Sequence, residues 1–411
     1  MNAQNLFRSF LAIGLLLQIP SHTSAQQPES KCDWKVFEHS AADLRAARDA
    51  AMQIPEAEGN TDVPPEAIKQ IQQFKNSLNS ALENYFLCQP NVSPENQSLE
   101  RDLYARLSIP IPPPPDEQQI IGPGPWKGLY LSEVTIKVQT VPDTRKLVAV
   151  LTSYEIPYGE DAVLDIFDQS DHGIWRPTVE FTSKPYNSIA GAFQAFNYKI
   201  SPVDHKGNWF VVATHINPWP TSCWQGLFID AVRPNELGME YQLFHDEEYG
   251  YICDDVPPYL RSVSSDGFQI QFSINSIDES QLFSISLMNY KVDDEDVIRV
   301  QPVALNPVNF VDEWTRRTWR DAQGWSSPGN MAKLQNDHSK LHSQGMGDFT
   351  AYRSCVTPSV SEIQFAENNG DGPNRYFLVK KNADGFTMIS VSDHATASCK
   401  GTDRLSTIKD R

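Results

Sequence analysis

The residues best equipped for chemistry gather round one pair of cysteines. Trp219 and Trp224 flank Cys223, while Tyr249, Tyr251, Asp254 and Asp255 flank Cys253. Glu247 and Glu248 lie just upstream of the second cysteine. A bridge between the two cysteines brings flat aromatic faces and carboxylates onto one loop surface. Such a surface suits a sugar, whose C–H face stacks on a ring while its hydroxyls donate to acceptors. Two carboxylates about 5–10 Å apart could also cleave a glycosidic bond, one as acid and one as nucleophile or base. The plainer alternative is a disulfide packed against Trp, with the acids solvated at a loop end. The expected ligand-binding set is Trp219, Trp224, Tyr249, Tyr251, Asp254 and Asp255, and no residue is assigned a catalytic role.

Other motifs fall short of a site. The chain has no Gly-x-Ser-x-Gly elbow, and paired cysteines are unavailable as thiolates. The run Gly122 to Pro125 alternates Gly with Pro, and proline lacks the amide donor that a phosphate loop needs. His338 and His342 stand four apart on an expected helix, but Ser339 replaces the Glu of a zinc protease and no third ligand is near. They read as surface histidines. Glu367, Asn369, Asp371 and Gly372 resemble the start of a calcium loop, yet Leu378 stands where the closing acid belongs. Neither metal nor cofactor is expected. Trp314, Trp319 and Trp325 interleave with Arg316, Arg317 and Arg320, a grouping that reads as core packing.

Composition bounds the rest. The 411 residues are 40% hydrophobic and 21% charged, enough to build cores. Acids outnumber bases 52 to 34, giving a net charge of −18. That balance argues against a nucleic-acid partner held by a basic face. The first residues read as a signal peptide over 1–25: Arg8, an apolar core from Leu11 to Ile19, and small residues at Thr23 to Ala25. The apolar run is short for a membrane span, so no transmembrane segment is expected in the mature chain. Six cysteines in an exported chain point to disulfides and to a secreted or periplasmic location. They fall as neighbours within segments, which predicts Cys32–Cys88, Cys223–Cys253 and Cys355–Cys399.

The elements that carry these residues follow from periodicity. Residues 26–90 read as a disulfide-closed helical hairpin. Its first helix is expected to start at Ser40, and its second carries the stripe Ile68, Ile71, Phe74, Leu78, Leu82 and Tyr85. Residues 91–125 read as a Pro-rich linker, because Pro90, Pro94 and the run Pro110 to Pro115 favour extended chain. From 126 to 305 the period becomes two. Asp143, Asp204 and Asp266 each precede an apolar strand, at Leu147–Leu151, Trp209–Val212 and Phe268–Phe272, and a second strand follows each. Units of about 60 residues with several strands each predict a propeller-like fold or stacked sheets. A helical insertion is expected over 306–347 and a C-terminal β segment over 348–411. The fold class is mainly β with helical additions. The function that fits is an exported, non-catalytic binding or interaction protein for a glycan or an extracytoplasmic protein. A secreted hydrolase, glycosidase first, is the alternative, and an envelope protein whose hairpin docks partners is a third.

Overall fold

The computed structural model describes residues 32–55, 61–89, 95–112, 129–141, 146–169, 173–218, 222–235, 240–251, 258–275, 283–293, 296–304, 306–344, 349–366, 374–383 and 385–403. The expected signal segment, Trp219, Cys253, Asp254, Asp255 and the Glu367 to Gly372 loop lie outside these residues.

Two helices open the described chain, α1 (Trp34–Ala51) and α2 (Pro65–Cys88), with the Cys32–Cys88 bridge across their outer ends. The first helix begins earlier than the Ser40 signal implied. Asp33 is the N-cap and its carboxylate accepts from the Lys35 amide at 2.9 Å. The apolar stripe explains the difference, since Phe37 stands four residues before Ala41 and is buried with it. Ser40 instead shares a hydrogen bond with Ser80 of α2 at 2.8 Å.

The expected linker contains a third helix, α3 (Asn96–Leu107). An extended spacer across 91–125 is therefore corrected over these residues. The prolines at either end masked Leu99, Leu103 and Leu107, whose spacing of four makes an apolar stripe, and all three are buried. The row beside this stripe on α3 guards a sheet edge. Asn96 Oδ1, Glu100 Oε1 and Tyr104 Oη accept from the backbone amides of Thr140, Val138 and Ile136 at 3.0, 2.9 and 2.6 Å. Four helical residues advance about 6 Å, and two strand residues about 6.6 Å, so the two registers match. Long side chains thus occupy an edge that would otherwise offer itself to another strand.

The β region is built of repeated antiparallel units. The first is a meander, β1 (Val134–Val141), β2 (Leu147–Ile156), β3 (Gly159–Gln169) and β4 (Trp175–Thr182), in that spatial order. The second unit holds β5 (Gln194–Ile200), β6 (Val211–Ile216), β7 (Trp224–Pro234) and β8 (Glu240–Tyr251). The third holds β9 (Tyr259–Ser264), β10 (Gly267–Asn275), β11 (Phe283–Val292) and β12 (Val297–Arg299). The second and third units join where Ile274 of β10 pairs with Gly250 of β8. Helices α4 (Pro307–Arg316), α5 (Trp319–Ala322) and α6 (Met331–Gln344) then interrupt. The last unit is β13 (Phe349–Cys355), β14 (Val360–Phe365), β15 (Arg375–Asn382), β16 (Gly385–Ser392) and β17 (Cys399–Asp403), with β17 returning to β13 beside the Cys355–Cys399 bridge. Of the repeated aspartates, Asp143 lies outside the described residues, and Asp204 and Asp266 serve turns. Asp204 Oδ1 accepts the Lys206 and Asn208 amides at 2.8 Å each, and Asp266 follows the same rule by accepting from the Ser264 hydroxyl at 2.9 Å.

The units stack face to face. One core joins α1, α2 and α3 to β1–β4, so the helical hairpin and the first sheet share a single interior. The other face of that sheet packs on β5–β7 through Leu147, Ala149, Leu164, Trp209 and Val211. Burial on both faces is why Leu147–Leu151 is a continuous apolar run. A third core joins the second and third units, and a fourth joins α4 and α6 to β14–β16. Trp314 and Trp325 are buried there, and Trp314 Nε1 donates to Ser326 at 2.9 Å.

Two buried ion networks cross the layers. Lys75 of α2 meets Asp161 of β3 at 2.9 Å, with both side chains almost wholly buried. The carboxylate also accepts from Tyr154, Ser183 and Tyr186 and from the amides of Ala162 and Phe193. Burial pushes Asp161 upward, but Lys75 and these donors outweigh it and hold the carboxyl below its usual range. In the second network Arg299 meets Glu313 at 2.9 Å and also Glu248, while Arg317 meets Glu248 at 2.7 Å and Asp246 at 2.6 Å. These charges clamp β8 and β12 to α4.

Two outcomes test this packing. Lys75→Met leaves Asp161 buried without its cation, and the expected loss is about 3–5 kcal/mol by chemical denaturation. Wild-type stability in that variant would show the pair to be incidental. Tyr104→Phe strands the buried Ile136 amide, so stability should fall by about 1–3 kcal/mol, read as a lower denaturation midpoint with an unchanged m-value.

Candidate functional site

The strand period of two decides what β7 and β8 offer to solvent. Leu227, Ile229 and Ala231 of β7 point into the core shared with the third unit. Trp224, Gly226, Phe228 and Asp230 therefore share the opposite face. On β8 the register sets Tyr249 opposite Gly226, Glu247 opposite Phe228, and His245 opposite Asp230. This face carries a row of rings that begins in the core and emerges at the sheet's open side. Phe193 stacks on His215 of β6 with centroids 4.0 Å apart, His215 stacks on Phe228 at 4.9 Å, and Phe228 lies along His245 at 6.2 Å. A second stack runs beside it, Trp224 on Tyr249, with centroids 6.2 Å apart and planes within 19°. Tyr249 is 60% exposed, so its face is available to a ligand.

Carboxylates flank both stacks. Asp230 meets His245 Nδ1 at 2.8 Å and accepts from Gln242 at 3.0 Å. Glu247 reaches across to Gly226, where a Cβ would fall 2.6 Å from its Oε1. Glycine thus leaves the floor between the two stacks open and lets a carboxylate rest on it. Ser222 holds the start of β7, its hydroxyl accepting from the Trp224 amide at 3.0 Å. Burial pushes His215 down to about 4, against the opposing pull of the Ile216 backbone hydrogen bond and the Asp161 charge. At neutral pH it is an uncharged ring between two phenylalanines.

Of the six expected ligand-binding residues, the structure brings Trp224 and Tyr249 together. Tyr251 ends β8 with its backbone paired to Trp224, and its side chain lies outside the described residues, as do Trp219, Asp254 and Asp255. Cys223 is disulfide-bonded, and its expected partner Cys253 is outside the described residues too. Glu248, grouped by sequence with Glu247, turns to the other face. There burial raises its carboxyl, but Arg299 and Arg317 outweigh that and lower it. Phe228, His245, Asp230, His215 and Gly226 were missed. Their signal was present in the alternation of β7 and β8, once the face carrying Trp224 and Tyr249 is taken as the reference.

The remaining candidates resolve as structure. His338 is buried rather than on the surface, and its Nε2 hydrogen-bonds the Arg317 carbonyl at 2.9 Å. His342 Nδ1 does the same with the Thr315 carbonyl at 3.0 Å, so both pin α6 to the end of α4. Among the described residues no three His, Cys, Asp or Glu side chains come close enough to hold a metal. Asp165 of β3 is buried directly across from Glu180 of β4, and burial together with the charges of Glu180 and Glu83 raises it well above the usual range. It shares the α2-facing side of β3 with Asp161, Val163 and Phe167, under the helix that carries Glu83. No helix among the described residues is long and apolar enough to cross a membrane.

No family model matches the chain and no curated protein sequence matches it. Among solved structures, an α-L-arabinofuranosidase from Fusarium graminearum is 11% identical, with a TM-score of 0.23 over 64% of this chain and 67% of that one. A mutant α-L-arabinanase from Cellvibrio cellulosa is 10% identical, with a TM-score of 0.22 over 62% of this chain and 75% of that one. Overlaps this slight carry no argument about activity.

The buried histidine makes a pH prediction. His215 binds its proton near pH 4 in the fold and near 6.5 when unfolded. Its contribution to stability is full above pH 6.5 and is lost as pH falls to about 4. His215→Phe keeps a stacked ring and removes the titration. The variant should therefore gain about 2–3 kcal/mol on wild type between pH 7 and pH 4, read from denaturation curves at each pH. Parallel pH profiles would show that the ring titrates alike in the folded and the unfolded chain.

Proposed function

We propose that the protein is an exported binding protein that takes a carbohydrate chain on the open face of β7 and β8. The observation that carries this reading is the Trp224–Tyr249 stack beside Glu247, above a glycine floor. Two nearly parallel rings, with the Tyr249 ring exposed, give a sugar's apolar face somewhere to stack without ordering long, flexible side chains. Glu247 and Asp230 supply acceptors for the hydroxyls at its rim. The neutral His215 and Phe228 continue the ring row toward the core behind this surface. An extracytoplasmic location fits the Cys32–Cys88 and Cys355–Cys399 bridges, which persist in oxidising compartments. Non-catalytic binding accounts for the face with the fewest assumptions, because it needs only the rings and acceptors already in place.

The test is a glycan array with the wild-type protein, followed by calorimetry on variants. Trp224→Ala or Tyr249→Ala should each weaken binding by about 1–3 kcal/mol with the fold intact by circular dichroism. Glu247→Gln should weaken it modestly, since the amide still accepts a hydrogen bond. Turnover of the bound glycan that disappears in Asp230→Asn or Glu247→Gln while binding persists would replace this reading with a glycosidase. An array with no binding at all would remove the carbohydrate and leave a protein ligand.

A further inference from the structure

The C-terminal unit contains a separate cavity of about 300 Å³. That volume stands at the lower end of the range for small-molecule sites, about 300–1,000 Å³. Phe386 and Tyr352 form part of its wall, and Thr357, Ser359, Ser361 and Lys381 bring polar groups to it. No carboxylate lines the cavity among the described residues, although the chain as a whole carries a charge of −18.

Several of these polar groups are not consumed by the fold. The Ser361 hydroxyl is paired with Tyr352 Oη at 2.6 Å. The Thr357 and Ser359 hydroxyls have no hydrogen-bond partner among the described residues, and Lys381 has no acidic partner among them. The loop that presents the two hydroxyls is nonetheless held in place. Ser359 has a left-handed backbone, φ 62°, and its carbonyl accepts from the Lys381 amide at 2.8 Å. The Val356 amide donates to the Ser398 carbonyl at 3.0 Å, next to the Cys355–Cys399 bridge. Strained backbone held by surrounding bonds is a feature of ligand clamps. An exposed ammonium with no acidic partner among the described residues, two exposed hydroxyls and an aromatic wall together describe a small ligand with an anionic group on a hydroxylated ring.

The geometry points to a binding site here for a single sugar ring that carries a carboxylate or a phosphate. Lys381 takes the anion, Thr357 and Ser359 bond the ring hydroxyls, and the half-buried Tyr352 offers its ring to the sugar's apolar face. This site is independent of the aromatic face on β7 and β8.

Calorimetry at low ionic strength with glucuronate, glucose 6-phosphate and glucose tests it. Both anionic sugars are expected to bind, and glucose at least about tenfold more weakly, the scale of a charge-assisted hydrogen bond. The ratio of the two anions shows whether carboxylate or phosphate is preferred. Lys381→Met should cost about tenfold or more, and Thr357→Val combined with Ser359→Gly, which suits the left-handed backbone, a similar factor. A loss of affinity on substituting Lys381, which lies on β15 and not on the face of β7 and β8, separates this site from the first. Binding of neither anionic sugar, equal binding of glucose, or an unchanged Lys381→Met variant would each overturn the proposal. Inorganic phosphate binding as tightly as glucose 6-phosphate would overturn the part assigned to the ring.

Discussion

A single carboxylate, Asp161, holds the N-terminal half of the molecule together. It lies on β3 and is reached by Lys75 from α2, Tyr154 from β2, Ser183 and Tyr186 from the segment after β4, and the Phe193 amide at the entry to β5. A lone buried charge costs several kcal/mol, and the cost is met here only when all of these donors are in place. Helix, first sheet and second unit therefore have to form around it together. The shared core of α1, α2, α3 and β1–β4 has the same consequence, since the two-helix hairpin is too small to bury its own apolar surface.

Stacking of units governs the rest. Each sheet has two faces, and each interior face is covered by helices or by a neighbouring unit. Edges are handled separately. At β1 the three α3 side chains take the amides, and in the last unit β17 returns to cover β13. The face of β7 and β8 opposite the core differs in carrying rings and carboxylates that reach solvent. The same ring row starts at Phe193 beside the Asp161 cluster, so a binding surface on β8 is backed by the most constrained part of the protein. Rigid support of this kind lowers the ordering cost of binding.

Neighbouring residues on a strand can have opposite fates. Glu247 and Glu248 are adjacent in sequence, yet one rests on the Gly226 floor and the other is buried between two arginines. Alternation across the sheet separates them, and Arg299 and Arg317 arrive from elements 50 or more residues further on. The surface chemistry is thus set jointly by local period and by distant partners.

The sequence by itself determined the class of fold, the strand pairs of the repeated units, the helical insertion, two of the bridges now seen, and the core role of Trp314 and Trp325. These are legible because apolar period and cysteine spacing are local quantities. It also singled out Trp224 and Tyr249 by their place beside cysteines, though it drew them as loop residues rather than as a cross-strand stack. Helix α3 was hidden because proline content at its ends outweighed four-residue leucine spacing in the middle. Only the tertiary structure decided which face of β7 and β8 stays open, that Phe228, His245, Asp230 and Gly226 join the site, and that His338 and His342 are ties between helices. Register, layer contacts and long-range charge pairs decide such questions, and they depend on residues far apart in the chain, whose meeting no local pattern encodes.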